Sequence, residues 1–180
     1  MPSPTSATPE TSTVRGVSPD HDEARSAARS DDERAILRCL MDYCRGIDRL
    51  DEALVASVYH PDGTDDHGSF VGLGSDFARV VVRRLRAHAA STTHFIGNPI
   101  IDFTSDTTAE VEVQVLAWHR VQRDDGEWLE KFGGRYFDRF EKRAGVWRIA
   151  HRALTRDWDT LEKVSPAFPP GVFQPSPRNA

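Results

Sequence analysis

The sequence predicts an α+β domain in which a curved antiparallel sheet wraps N-terminal helices, and three observations carry that reading. Ile36, Leu37, Leu40, Met41, Cys44 and Ile47 recur at three- and four-residue spacing, the period of a helix face. From Thr92 onward the period of the apolar residues falls to two, in four successive runs. The connections between those runs, SDT, RDDGE and RAG, have the composition of hairpin turns, so the strands should form a meander.

A chain of 180 residues with 38% hydrophobic content can bury one core of ordinary size, so one domain is expected. The net charge of -5 and the lack of a basic stripe argue against a nucleic-acid partner. No stretch is apolar enough to span a bilayer, and the N-terminus carries no run of the signal-peptide kind, so a cytoplasmic protein without membrane contact is expected. Cys39 and Cys44 share one helix at a five-residue offset, which suits neither a disulfide nor a metal knuckle and fits a reducing compartment.

Residues 1–30 are rich in Pro, Ser, Thr and Ala without apolar periodicity and read as a disordered tail before a domain spanning 31–164. Ser30 or Asp31 can cap the first helix, which should end at Gly46 or Asp48. A short helix follows over Asp51 to Tyr59 and stops at Pro61. A strand or hairpin is expected over Gly63 to Val71, and then a helix from Asp76 to Ala89 capped by Ser75. That helix puts Phe77, Val81, Leu85 and His88 on one side and leaves Arg79, Arg83, Arg84 and Arg86 as a solvated face. The strand runs are Thr92 to Phe103, Thr108 to Arg123, Trp128 to Lys142 and Val146 to Asp157, with a bulge at Gly133 and Gly134. Residues 165–180 form a Pro-rich tail whose Phe168, Val172 and Phe173 can either cover a hydrophobic opening or hang free.

The chemistry-bearing residues fall on inward faces. Asp48 lies at the edge of the first helix's apolar stripe, where a carboxylate needs a partner. His94 shares a strand face with Thr92 and Ile96, and His119 continues the face of Val111, Val113, Val115 and Ala117. If Asp48 meets His94 it would hold one ring nitrogen and leave the other as a base. His60, Asp62, Asp65, Asp66 and His67 have the donor types of a metal site but not the spacing of a known ligand frame, so no metal is expected.

THFIG, then LAWHRV one strand later, then RAGVWRIA, resemble in order the SnoaL-like branch of the nuclear transport factor 2-like superfamily, and within it the scytalone dehydratases. GIDRLDEAL is similar to that group's Asp-containing turn. The hexachlorocyclohexane dehydrochlorinases similarly pair an Asp at the GID position with a His at the THF position, with an FEKRAGVW-like turn and a C-terminal PPG. The resemblance covers Asp32 to Asp159 and implies a cone-shaped, cystatin-like α+β barrel with a cofactor-free acid/base site at its mouth. It makes Asp48 and His94 the dyad and His119 a second catalytic histidine. His67 and Ile47 stand where the dehydratases have pocket tyrosines, and Tyr136 and Gly134 where they have polar substrate contacts. Ile47, His67, Asn98, Trp118 and Tyr136 are the expected substrate-contacting residues.

The resemblance implies a lyase, most closely a dehydratase eliminating water, and the valines, Phe and Trp around a few polar groups suggest a hydrophobic cyclic substrate such as a polyketide, terpenoid, steroid or aromatic catabolite. An isomerase or cyclase in the same pocket is the alternative. A non-catalytic β-subunit or small-ligand-binding protein is the reading outside catalysis. Trp118 and Leu116 also suggest an apolar outer sheet surface, from which a homodimer or homotrimer is expected.

Overall fold

Ile36, Leu40, Tyr43, Cys44 and Ile47 are buried along one side of α1 (Pro19–Arg49), as their spacing requires. The computed structural model describes residues 19–178. The further elements are α2 (Glu52–Ser57), β1 (Tyr59–Asp66), β2 (Val71–Leu73), α3 (Gly74–His88), β3 (Ala89–Phe103), β4 (Thr108–Arg123), β5 (Gly126–Arg143) and β6 (Val146–Lys163). One sheet holds the strands in the order β2-β1-β6-β5-β4-β3. The fold is thus α+β, with a curved, unclosed six-stranded sheet packed on a few helices.

The helix begins earlier than the composition suggests. Residues 19–30 are helical rather than part of a tail, and the rest of the expected tail, 1–18, lies outside the described residues. Ala, Arg and Glu are strong helix formers, so a helical extension needs no apolar stripe. Arg29 fixes it to the sheet, its guanidinium 3.9 Å from the Phe103 ring centre and its Nη1 donating to the Ser105 carbonyl. Asp32 ties the next turn down, accepting from Lys142 Nζ at 2.7 Å and Trp147 Nε1 at 2.8 Å. Met41, placed on the stripe by spacing, is 53% exposed.

Asp51 caps α2, its carboxylate accepting the Leu54 N–H at 2.9 Å. Ser75 does not cap α3, which starts at Gly74 with no side-chain cap. β1 begins at Tyr59, ahead of the strand expected from Gly63, continues through Pro61, and lies parallel to β6 with an irregular register between Tyr59 and Thr64. Such an irregularity is where a strand tolerates the missing N–H of proline.

β3 to β6 form the meander. Gly133 and Gly134 lie at a register shift between β5 and β6, as their position in mid-strand suggests. A Cβ on Gly134 would stand 2.0 Å from the Thr155 carbonyl oxygen, and one on Gly133 would meet the Trp158 ring, so both strands approach through the absence of side chains. The inner face of β4, Val111, Val113, Val115 and Ala117, is buried against the helices.

Arg152 on β6 is fully buried and paired bidentately with Asp138 on β5, Nε to Oδ1 at 2.7 Å and Nη2 to Oδ2 at 2.6 Å. Arg139 instead points outward, to Glu141. Beyond Lys163 the chain is irregular. Arg178 returns to the α3–β3 junction and donates through Nη1 to the carbonyls of Ala89 (2.7 Å) and Ala90 (3.0 Å), while Phe168, Val172 and Phe173 remain exposed. No described helix is long and apolar enough to cross a membrane.

Candidate active site

Asp48 is held by the way α1 ends. Leu50 adopts φ 58°, its N–H bonding to the Ile47 carbonyl at 3.1 Å, and the Asp51 N–H reaches the Gly46 carbonyl at 2.8 Å. These two bonds are the Schellman pair, here with a buried leucine in the left-handed position that glycine usually takes. The last helical turn is thereby fixed with its carboxylate toward β3.

That carboxylate collects three donors from one strand. The His94 ring donates through Nδ1 to Oδ1 at 2.8 Å, the His94 backbone N–H to Oδ2 at 3.0 Å, and the Thr92 hydroxyl to Oδ1 at 3.2 Å. With Nδ1–H committed to a carboxylate, the neutral ring presents an unprotonated Nε2. The His94 side chain is 9% exposed and lines a cavity of about 1010 Å³. A helix end and a distant strand therefore build an Asp–His couple from residues 46 positions apart.

His119 lies one strand over, its ring centre 5.5 Å from that of His94. Burial, and next the neighbouring His94, push its pKa down to about 4, so it is neutral near pH 7; Glu130, 3.7 Å from Nδ1, only partly opposes this. Its Nε2 is buried without a hydrogen-bond partner among the described residues.

A second polar group lies on another wall, contributed by α1 and β1. His67 donates through Nδ1 to Asp65 Oδ1 in a close hydrogen bond, and its Nε2 lies 3.2 Å from the Tyr43 hydroxyl. The Tyr59 hydroxyl donates to the other Asp65 oxygen at 2.5 Å. The His67 ring stacks on Phe77 with centres 4.1 Å apart. Beneath, the Arg152 guanidinium lies 4.2 Å from the Tyr43 ring centre and 3.9 Å from that of Tyr136.

Of the expected site residues, Ile47, His67, His94, His119 and Tyr136 line the cavity, and Asp48 stands behind His94. Asn98 and Trp118 do not. Asn98 is exposed at a register break in β3, its side chain on Gln114, and Trp118 faces the outer side of the sheet because it alternates with His119 and Ala117. Thr92, Tyr43 and Arg84 were not singled out from the sequence as site residues. Arg84, read as solvated, lines the cavity because it falls four residues from both Val80 and His88 on α3, which line it too. The spacing held the signal for Arg84; nothing local marked Tyr43 among buried helix residues.

The His60–His67 cluster disperses. His60 donates from Nε2 to the Glu141 carbonyl, Asp62 pairs with Arg143 on the surface and Asp66 accepts the Gly68 N–H. Among the described residues no group of three metal-ligating side chains converges. Burial pushes both the Cys39 and Cys44 thiols up to about 12, which makes them poor nucleophiles.

A family model described as a SnoaL-like domain matches residues 28–153. No curated protein matches the chain in sequence. Among solved structures, a provisionally named scytalone dehydratase from Novosphingobium aromaticivorans is similar at 27% identity and TM-score 0.67, over 83% of this chain and 99% of that one. The hexachlorocyclohexane dehydrochlorinase LinA-type3 from Novosphingobium barchaimii superposes with TM-score 0.71 at 20% identity, covering 81% of this chain and 99% of its own. A protein of unknown function with a cystatin-like fold from Nostoc punctiforme superposes with TM-score 0.58 at 18% identity, over 70% and 91% of the two chains.

Proposed function

The chain belongs to the SnoaL-like domain family, and from that premise we propose that it is a cofactor-free acid/base enzyme of the lyase or isomerase kind, most closely a dehydratase acting on a hydrophobic cyclic ketone. The contact that carries this reading is the 2.8 Å bond from His94 to Asp48 at the edge of a large, mainly apolar cavity. A base needs a lone pair, and Asp48 leaves it on Nε2 of His94 by occupying Nδ1–H.

In the proposed reaction, His94 Nε2 takes a proton from the carbon next to the carbonyl, and the electron pair of that C–H bond moves toward the carbonyl oxygen. Collapse of the resulting enol or enolate expels a hydroxyl from the next carbon, which takes the His94 proton and leaves as water. Asp48 stabilises the imidazolium formed in between and does not itself transfer the proton. Neutral His119, with an unpartnered Nε2, suits a hydrogen bond to the departing or activated oxygen without adding a second positive charge beside His94.

The test uses 3-hydroxy-1-tetralone, whose dehydration yields fluorescent 1-naphthol, together with 1-tetralone, whose α-proton exchange in D2O is followed by NMR. Wild-type protein should catalyse both. Asp48→Asn and His94→Ala should keep the native circular-dichroism spectrum and lose both activities. Full activity in either variant refutes the assignment.

A further inference from the structure

α3 carries four arginines, and their surroundings sort them. Arg79 pairs with Asp76 at 2.7 Å, and Arg86 donates through Nη2 to the Leu50 carbonyl at 3.4 Å. Arg83 and Arg84 have no ion pair or hydrogen bond among the described residues. They differ in what they face. Arg84 lines the cavity together with Val80, Leu85 and His88, whereas Arg83, one residue and about 100° around the helix, does not.

The other charged residues lining the cavity already have counter-ions. Arg123 lies 3.4 Å from Glu130, Lys131 donates to Glu162 at 2.6 Å and Asp159 pairs with Arg156 at 3.2 Å. Among the described residues, Arg84 is thus the charged lining residue left without one. Its side chain is open to solvent, so water satisfies it until a ligand fills the space beneath. A hydrocarbon ring seated against Val80, Val81 and Leu85 removes water from the cavity side of that guanidinium. A ring carrying a charged acceptor replaces what is lost.

The position of Arg84 along the cavity fixes where such an acceptor would lie. Phe77, stacked on His67, and Arg84 are seven residues apart, about 10 Å along α3, which matches the length of a bicyclic ring with one substituent. The register of β4 runs from Val113, opposite Tyr136, through Ala117, opposite His94, and then His119, to Val121, opposite Ala89 just after α3. The two histidines therefore lie between the Tyr136 end and the end where α3 closes with Arg84, Leu85 and His88. After burial and the neighbouring His94, Arg84 is a further cause of the low pKa of His119, so its field reaches the histidine pair. A negative group on Arg84 cancels that field where His94 has to become an imidazolium.

We propose that Arg84 binds a carboxylate carried by the ring whose proton His94 removes, so that the ligand is a hydrophobic cyclic ketone bearing an acid. This ligand class rests on the acid/base reading above for its reacting carbon, while the acid is assigned from α3 alone. The planar fork of the guanidinium offers a carboxylate two parallel N–H donors. The carboxylate takes no part in the bond changes. Arg84 thus selects the substrate and sets which ring carbon faces His94.

The experiment compares 2-naphthoate, ionised at neutral pH, with 2-naphthamide, which has nearly the same shape and no charge. Binding is measured by isothermal titration calorimetry to wild type, Arg84→Gln, Arg83→Gln and His94→Ala. Wild type should prefer the naphthoate by about tenfold, the worth of one charge-assisted hydrogen bond at a partly screened site. Arg84→Gln should lose that preference, whereas Arg83→Gln, which has the same net charge, should keep it. Equal or undetectable binding of the two ligands by wild type, a preference that survives Arg84→Gln, or one lost equally in Arg83→Gln overturns the proposal. Arg84 is exposed and holds no other element in place, so its variant should keep the native circular-dichroism spectrum. His94→Ala should also keep the preference. Failure of the acid/base reading shows instead as turnover that survives His94→Ala, so the two failures are distinct.

Discussion

Acidification should destabilise this protein through His119, by an amount the site allows to be worked out. The His119 side chain is 25% exposed, and burial beside His94 lowers its pKa from an ordinary 6.5 to about 4. A group whose folded pKa is depressed binds fewer protons in the native state than in the unfolded chain. Its contribution is therefore present above the unfolded value and is lost as pH falls through the window from 6.5 to about 4. At roughly 1.4 kcal/mol per pH unit, the loss across that window is on the order of 3 kcal/mol. The assay is urea unfolding of wild type and His119→Gln at a series of pH values from neutral down to the lower end of that window. Carboxylates away from His119, among them Asp138, whose pKa burial raises, are common to both proteins and cancel in the difference. The wild-type stability should fall relative to the variant by that amount as acid is added. Curves that stay parallel would refute the idea that the folded site keeps His119 uncharged.

Two further substitutions probe the scaffold under the site. Arg152→Met leaves Asp138 buried without its bidentate partner and should cost about 3–5 kcal/mol in chemical denaturation, whereas the double change Arg152→Met with Asp138→Leu should recover most of it. A double variant no more stable than the single one would show that the pair does not account for the loss. Gly134→Ala puts a methyl group against the Thr155 carbonyl, which is backbone and can yield only by moving β6, so about 2 kcal/mol or more should be lost in thermal unfolding. Gly133→Ala, which meets the partly exposed Trp158 ring, should cost less; the reverse order would refute the close-approach argument.

The strands β3 to β6 were legible because a half-buried strand writes its two faces directly into alternation, and Val111 to His119 does so without interruption. The Asp48–His94 meeting was legible only through likeness to a family, since no local rule links a helix end to a strand 46 residues on. The alternation of Asp65 with His67 was visible, yet its meaning depended on Tyr43 and Tyr59, which reach it from elsewhere in the chain. The start of β1 was not legible, because Pro61 reads locally as the stop of a helix and only the irregular parallel pairing with β6 shows how a strand accommodates it. Trp118 was assigned to the substrate although its own alternation with His119 puts it outside.

β3 is the free border of the sheet and runs from Ala89 to Phe103, long enough to template the addition of a foreign strand. The dipeptide Asn98–Pro99 interrupts it. Asn98 takes φ 51°, the ladder slips between Gly97 and Ile100, and Pro99 offers no N–H. A chain arriving at that border can dock on either half of it but cannot zip along its whole length, so exposed Phe95 and Ile100, on opposite sides of the break, are kept from nucleating cross-β growth. A residue with no part in the cavity thus guards the solubility of the fold that contains it.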